Sequence, residues 1–430
     1  MITFMDHVQN AWLDATRWNR DNSYSNLTPT ARALLDFPTP NGLRLHVSSL
    51  SSPNLATSYT LGSVGVVDGS ISYLYSSLRL DDSITKSRDF DLPTVIQGYR
   101  QLQALRRPDK PWWWEIWHKG RRIDRRDTLL YGKLYLPSSH LEALYLRRLS
   151  PTTQLRLSCV SNSRLKSGGT ILSLLQRDVG KHSIETLYST DSALLGVRGL
   201  YNFGPDPRLD STGELSKSSF PHSTAGLASS QHLAPTTRFT AGLEAYYGLL
   251  NASGGLSTAL RYATLPNHPG FPMTVTLTLN PLMGNMEGTY AVKAGRDLSL
   301  ASRFSFNVYS YESDVVLGCE LWRRRRKQAD HVGSELIGDN PSAVAEEHHP
   351  PKKERLEAAK KATINVTQSH GSNDNDNVQG VLKARIDQNW NIGLLWEGRI
   401  KELLFTLGKS SNDSPKMSPS ALILSVSPSP

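Results

Sequence analysis

Eight basic residues, Arg44, Lys133, Arg156, Arg261, Lys293, Arg303, Lys383 and Arg385, fall on one side of otherwise aliphatic alternating segments. Turned toward a water-filled interior, such a set attracts anions, as in a metabolite pore; the same charges can instead pair with acidic loops or an N-terminal helix. Other reactive residue types lead nowhere. No G-x-S-x-G elbow, Walker loop, dinucleotide fingerprint or H-E-x-x-H helix occurs, so no catalytic residue, cofactor-binding residue or metal ligand is assigned and an enzyme is not expected. His348 and His349 precede two prolines in a polar stretch and read as solvated side chains. The run 373–377 lacks the glycine and terminal glutamate of a calcium loop. Cys159 and Cys319 have no metal-ligand spacing and read as reduced, packed thiols.

The elements that carry these charges are written in a two-residue rhythm. Met273, Val275, Leu277 and Leu279 alternate with Thr274, Thr276, Thr278 and Asn280. Leu43, Leu45 and Val47 oppose Arg44, His46 and Ser48, and Leu382, Ala384 and Ile386 oppose Lys383, Arg385 and Asp387. One side of each strand suits lipid and the other a polar interior. A soluble two-sheet sandwich alternates too, so the number of strands decides. From Gly42 onward roughly 19 segments of about ten residues follow one another, the length a tilted crossing requires. They begin near Gly42, Leu55, Gly69, Asp127, Leu141, Thr152, Gly168, His182, Leu194, Thr236, Gly254, Pro272, Met286, Ser299, Ser310, Val378, Trp390, Lys401 and Pro419. The expected fold is an all-β transmembrane barrel of porin type with an N-terminal helical segment. Leu277→Arg on the lipid face should cost roughly 2–4 kcal/mol, and Thr276→Arg on the lumen side much less.

Residues 1–41 precede the barrel and are expected in or near its lumen. Phe4, Val8, Ala11, Ala15 and Trp18 recur at helical spacing over the first twenty or so residues, and Thr28 with Pro29 reads as the cap and first turn of a second helix. Residues 42–430 form the barrel, with turn signals at Asp68-Gly69, Ser253-Gly254 and Asn285 and long insertions near 80–126, 204–235 and 323–377. Following the third, ninth and fifteenth strands, all three insertions leave the sheet on one side. The middle and last are polar and biased in composition. The first holds Trp112, Trp113, Trp114 and Trp117 just ahead of Arg121, Arg122, Arg125 and Arg126, a grouping suited to a membrane interface or a partner surface.

The 430 residues carry a formal charge of +9, with a pI near 9.4. That suits an anionic membrane or a nucleic acid, but no zinc-finger, ribonucleoprotein or helix-turn-helix signature accompanies it, so nucleic acid is not an expected partner. Asp6, Asp14 and Asp21 argue against a secretory signal or a cleaved mitochondrial presequence.

Longer motifs carry a family resemblance. The segments LDFPTPNGLRLHVSSL (35–50), ATSYTLG (56–62), DGSISYLYS (68–76), LLYGKLYLPSSHLEALYLRRLSPTTQ (129–154), LLGVRGLYNFGPDPR (194–208) and LLWEGRIKELL (394–404) resemble the fungal mitochondrial distribution and morphology protein 10 family. The resemblance covers most of the chain outside the three insertions. It implies a multi-pass β-barrel of the outer mitochondrial membrane related to voltage-dependent anion channels. It also implies a scaffold in the ER–mitochondria encounter structure, which supports phospholipid exchange, mitochondrial shape and mitochondrial DNA inheritance. Membership of the sorting and assembly machinery, aiding late assembly of the outer-membrane translocase, is implied as well. Partners would be the other subunits of those assemblies, translocase components and membrane lipids. A porin-like anion or metabolite channel is the alternative function. The insertion signal of such barrels, a polar residue, a glycine and two spaced hydrophobics, would fall on Pro419, Ala421, Leu424 and Val426, with the first two departing from the pattern.

Overall fold

The computed structural model describes residues 1–40, 42–64, 66–80, 91–105, 117–119, 121–122, 128–163, 165, 167–204, 235–324, 378–400, 403–410 and 423–426. Alternation becomes a single 19-stranded sheet. In chain order the strands are β1 (Leu43–Ser52), β2 (Leu55–Val64), β3 (Val66–Ser76), β4 (Thr128–Leu136), β5 (His140–Ser150), β6 (Thr153–Ser161), β7 (Gly169–Asp178), β8 (His182–Ser189), β9 (Leu194–Phe203) and β10 (Thr237–Gly248). There follow β11 (Ser253–Thr264), β12 (Met273–Asn280), β13 (Asn285–Lys293), β14 (Leu298–Asn307), β15 (Ser313–Arg324), β16 (Val378–Asp387), β17 (Ile392–Ile400), β18 (Leu403–Ser410) and β19 (Ile423–Val426).

Neighbours in sequence pair antiparallel all the way round, and β1 pairs in parallel with β19 to close the ring. Among the described residues every strand of the ring has a neighbour on each side, and closure is the condition for crossing a bilayer with strands. No helix among the described residues is long and apolar enough to cross a membrane.

The register fixes two faces. Outward rows such as Leu260, Leu277 and Gly288, or Leu300, Cys319 and Ala384, run from strand to strand and are apolar. Inward rows carry Thr276, Thr289 and Arg303, or Ser299, Glu320 and Lys383. Both cysteines are free thiols and, by register, sit in the outward rows, not in a packed interior.

Three local expectations are corrected. Asp68 and Gly69 make no turn; they pair with Gly62 and Leu61 inside the hairpin, and Asp68 stands 3.8 Å from the inward Arg44. The ladder and this charge pair outweigh the turn preference of the dipeptide. The first helix, α1 (Phe4–Ala15), stops short of Trp18. Thr28 precedes the second, α2 (Pro29–Leu35), but its side chain makes no capping hydrogen bond.

β3, β9 and β15 all end at the same mouth, here called the long-loop end; the short turns from even to odd strands form the opposite, short-turn end.

Candidate functional site

The candidate site is the lumen, which the chain fills with its own N-terminal segment. A reciprocal capping box starts α1: Asp6 N–H donates to Thr3 Oγ1 (3.2 Å), and Thr3 N–H donates to Asp6 Oδ2 (3.3 Å). Met5, Val8 and Trp12 form the buried stripe of this helix and pack on the inward residues Ala56, Leu74, Leu129, Leu144 and Leu146 of β2 to β5. Each such side chain removed from water contributes about 1.5–3 kcal/mol. The inward face is therefore mixed, with an apolar quadrant where the helix docks.

Polar contacts take over where the helix ends. Asn22 Nδ2 donates to Asp178 Oδ1 (2.5 Å) and to the Gly180 carbonyl (3.0 Å), and Asn202 Nδ2 donates to Asn22 Oδ1 (2.7 Å). Arg261, almost wholly enclosed, donates to the carbonyls of Asn26 (3.0 Å) and Asp21 (3.4 Å). Tyr24 Oη donates to Ser257 Oγ (2.8 Å), and burial keeps this hydroxyl above its ordinary pKa and protonated.

α2 crosses to the far wall, where Ala31, Leu34 and Leu35 pack on Ala291, Ala301 and Val316. Its approach depends on a missing side chain: a Cβ on Gly318 would lie 2.7 Å from Leu35 Cδ2 and 2.8 Å from the Leu34 carbonyl. Gly242 and Gly408 make similar sockets for Tyr24 and Pro40. Arg303 Nη1 binds both Asp36 carboxylate oxygens at 2.8 Å. Arg385 donates to the Leu35 carbonyl (3.0 Å) and lies 5.1 Å from the centre of the Phe37 ring.

A second piece of chain joins this plug. Residues 91–105, within the connection after β3, turn back into the barrel, beginning with the one-turn helix α3 (Leu92–Val95). Ile2 N–H donates to the Val95 carbonyl (2.9 Å), and Leu92, Val95 and Ile96 pack on Val378, Val381 and Leu404. Further along, Tyr99 N–H donates to Glu320 Oε2 (3.2 Å), Thr30 to the Arg100 carbonyl (3.3 Å) and Arg238 to the Gln103 carbonyl (3.2 Å). Lys383 donates to the Gln97 carbonyl and stands 3.7 Å from Glu397, which also takes the Met1 ammonium.

All eight basic residues singled out in the sequence have inward register. Arg261, Arg303, Lys383 and Arg385 are bound to the plug as described. Lys133 lies over the Tyr135 ring (4.4 Å) opposite Glu142, Arg44 neighbours Asp68, Arg156 remains exposed on the inner face, and Lys293 pairs in register with Ser299. Sequence reasoning missed the acidic counterparts Asp178, Glu320 and Glu397 and the glycine sockets. The available signal was a glycine or carboxylate at an inward position in mid-strand.

Trp112, Trp113, Trp114, Arg125, Arg126, Pro419, Ala421, His348, His349 and the run 373–377 lie outside the described residues. Trp117 belongs to a two-residue strand, Trp117–His118, paired with Arg121–Arg122. Leu424 and Val426 pair in register with Leu45 and Val47 across the closing seam. Among the described residues no group of His, Cys, Asp and Glu is placed to hold a metal ion.

Comparison with known proteins matches nearly the whole chain to one family. The family model described as mitochondrial distribution and morphology protein 10 matches residues 1–425. A relative of that name from Phaeosphaeria nodorum is 58% identical over 410 residues, covering 95% of each chain. One from Sclerotinia sclerotiorum is 57% identical over 411 residues, again 95% of each. A third, from Chaetomium globosum, is 45% identical over 436 residues, 96% of this chain and all of the relative.

Proposed function

Since the chain belongs to the mitochondrial distribution and morphology protein 10 family, and so has a role in mitochondrial distribution and morphology, we propose that it acts as a plugged barrel scaffold in the outer mitochondrial membrane. Its place is in the ER–mitochondria encounter structure, where it supports tethering and phospholipid exchange, and in the sorting and assembly machinery, where it aids late assembly of the translocase. The observation that supports this reading is the filled lumen. Four of the eight inward cations are committed to internal partners, Arg261, Arg303, Lys383 and Arg385, so the wall and rims are left to do the work. An anion pore would need those charges facing water.

Tagged full-length chain, isolated from fungal mitochondria in mild detergent, should carry subunits of both assemblies with it and resist extraction by alkaline carbonate. Release by carbonate, or steady anion conductance of the purified protein at porin level in planar bilayers, would defeat the scaffold reading.

A further inference from the structure

The short-turn end of the barrel is divided into two unlike halves. Turns between β4 and β9 present Pro137, Ser138 and Ser139, then Asn162, Ser163 and Ser167, then Thr190, Asp191 and Ser192; Leu165 is the one large apolar side chain exposed among their described residues. From β10 to β17 the tips change character. The β10–β11 turn exposes Leu249 and Leu250 (75%), the β12–β13 turn Leu282 and Met283 (61%), the β14–β15 turn Tyr309 and Tyr311 (80%), and the β16–β17 turn Trp390 (78%). Apart from Glu312, these four turns carry no charge.

Two of the tips are built as one unit. Tyr309 Oη donates to the Pro281 carbonyl (3.1 Å), Val308 N–H donates to the Gly284 carbonyl (2.8 Å), and Asn307 Nδ2 donates to Asn285 Oδ1 (2.6 Å). Gly284, at φ +69°, leaves room for the Tyr309 ring, whose Cδ2 would be 2.5 Å from an added Cβ. These contacts fix the Tyr309 ring against the neighbouring turn.

We propose that these four turns are embedded in the headgroup–acyl boundary of the bilayer, seating the β10–β17 half of the ring deeper on the short-turn side than the β4–β9 half. The argument is continuity with the lipid-facing wall. Leu279, Phe306, Val315 and Ile392 are outward in register and lead directly into the turns. The eight residues of β12 rise only about 19 Å at roughly 3.3 Å per residue and a tilt of about 45°, short of an apolar band of about 25 Å; Leu282 and Met283 complete it. Tyr and Trp interleaved with Asn and Ser are the side chains that favour this boundary. At the long-loop end the same strands are joined through Asn267 and His268, and through Arg296 and Asp297, polar groups that suit water; Phe271 is the exception there.

The test uses full-length chain lacking Cys159 and Cys319, folded into phosphatidylcholine vesicles, with one environment-sensitive fluorophore at Leu250→Cys or Met283→Cys and, for comparison, at Ser138→Cys or Ser163→Cys. Labels at positions 250 and 283 should emit at shorter wavelength, lose intensity to lipids bearing a nitroxide high on the acyl chain, and show several-fold weaker iodide quenching than the comparison labels. Equal iodide quenching at all four positions overturns the proposal. Labels at positions 250 and 283 that are open to water in vesicles but shielded in mitochondrial membranes also overturn it, and assign the surface to a protein partner. Loss of the Trp390 contribution, read from Trp390→Phe difference spectra with the same quenchers, gives a reading free of labels.

Discussion

Lys383 and Glu397 face each other on adjacent strands 3.7 Å apart, both enclosed between wall and plug. Around them, Glu320 pairs in register with Lys383, and the Met1 amine sits on Glu397, so four ionisable groups share one desolvated region. Removing one member leaves an uncompensated buried charge, at a cost of about 3–5 kcal/mol. Lys383→Met should lower the denaturation midpoint of the detergent-folded barrel accordingly. Adding Glu397→Gln should restore much of the loss, because the carboxylate left without its lysine is then neutral. A single variant as stable as the wild type would contradict this balance.

Gly318 is one of the points where the plug presses directly on the wall. A valine there must displace α2, since backbone as well as side-chain atoms of Leu34 and Leu35 occupy the space. Gly318→Val should cost about 1–3 kcal/mol as an overpacking change and should open the α2 segment to added protease without unfolding the strands. Unchanged cleavage of residues 29–35 would mean the helix is held elsewhere.

How far the sequence could be read follows from these two sites. Strand starts expected at Leu55, His182, Leu194 and Val378 are those observed, and most others lie one or two residues away, because each strand's pattern is repeated by its neighbours and a slip would turn every side chain over. The third strand starts at Val66 rather than Gly69, the fifteenth at Ser313 rather than Ser310, and the last at Ile423 rather than Pro419. At Ser310 the reason is visible: Tyr311 N–H donates back to the Asn307 carbonyl, which holds that residue in the turn. Periodicity gave Lys383 and Arg385 an inward face. It carried no information on Gln97 or Leu35, whose carbonyls they meet, because those contacts span 286 and 350 residues.

Docking of α1 should depend on pH through His7. Its pKa is held below 6.5, first by burial and further by Arg20, with Asp14 opposing. The docked helix thus prefers neutral His7, so its docking is strongest above pH 6.5 and weakens as pH falls toward the lowered value. A nitroxide attached to a cysteine introduced on α1 should be more mobile near pH 5 than at pH 7.5. His7→Gln should flatten that dependence, and a profile unchanged by the substitution would move the titration to another group.

The two faces of β12 invite a direct comparison, with one change from what alternation alone suggests. Leu277 is outward between Leu260 and Gly288, and Leu277→Arg should cost roughly 2–4 kcal/mol in lipid. Thr276 is a poor inward control: it is enclosed, hydrogen-bonded to Thr289, and paired in register with Arg261, so a second guanidinium there would meet a like charge. Thr278 is the better position. It is inward, partly open, and opposite Glu287, so Thr278→Arg should cost well under about 1 kcal/mol by gaining a cross-strand partner. Folding yields into vesicles that fall equally for Leu277→Arg and Thr278→Arg would contradict this assignment of outer and inner rows.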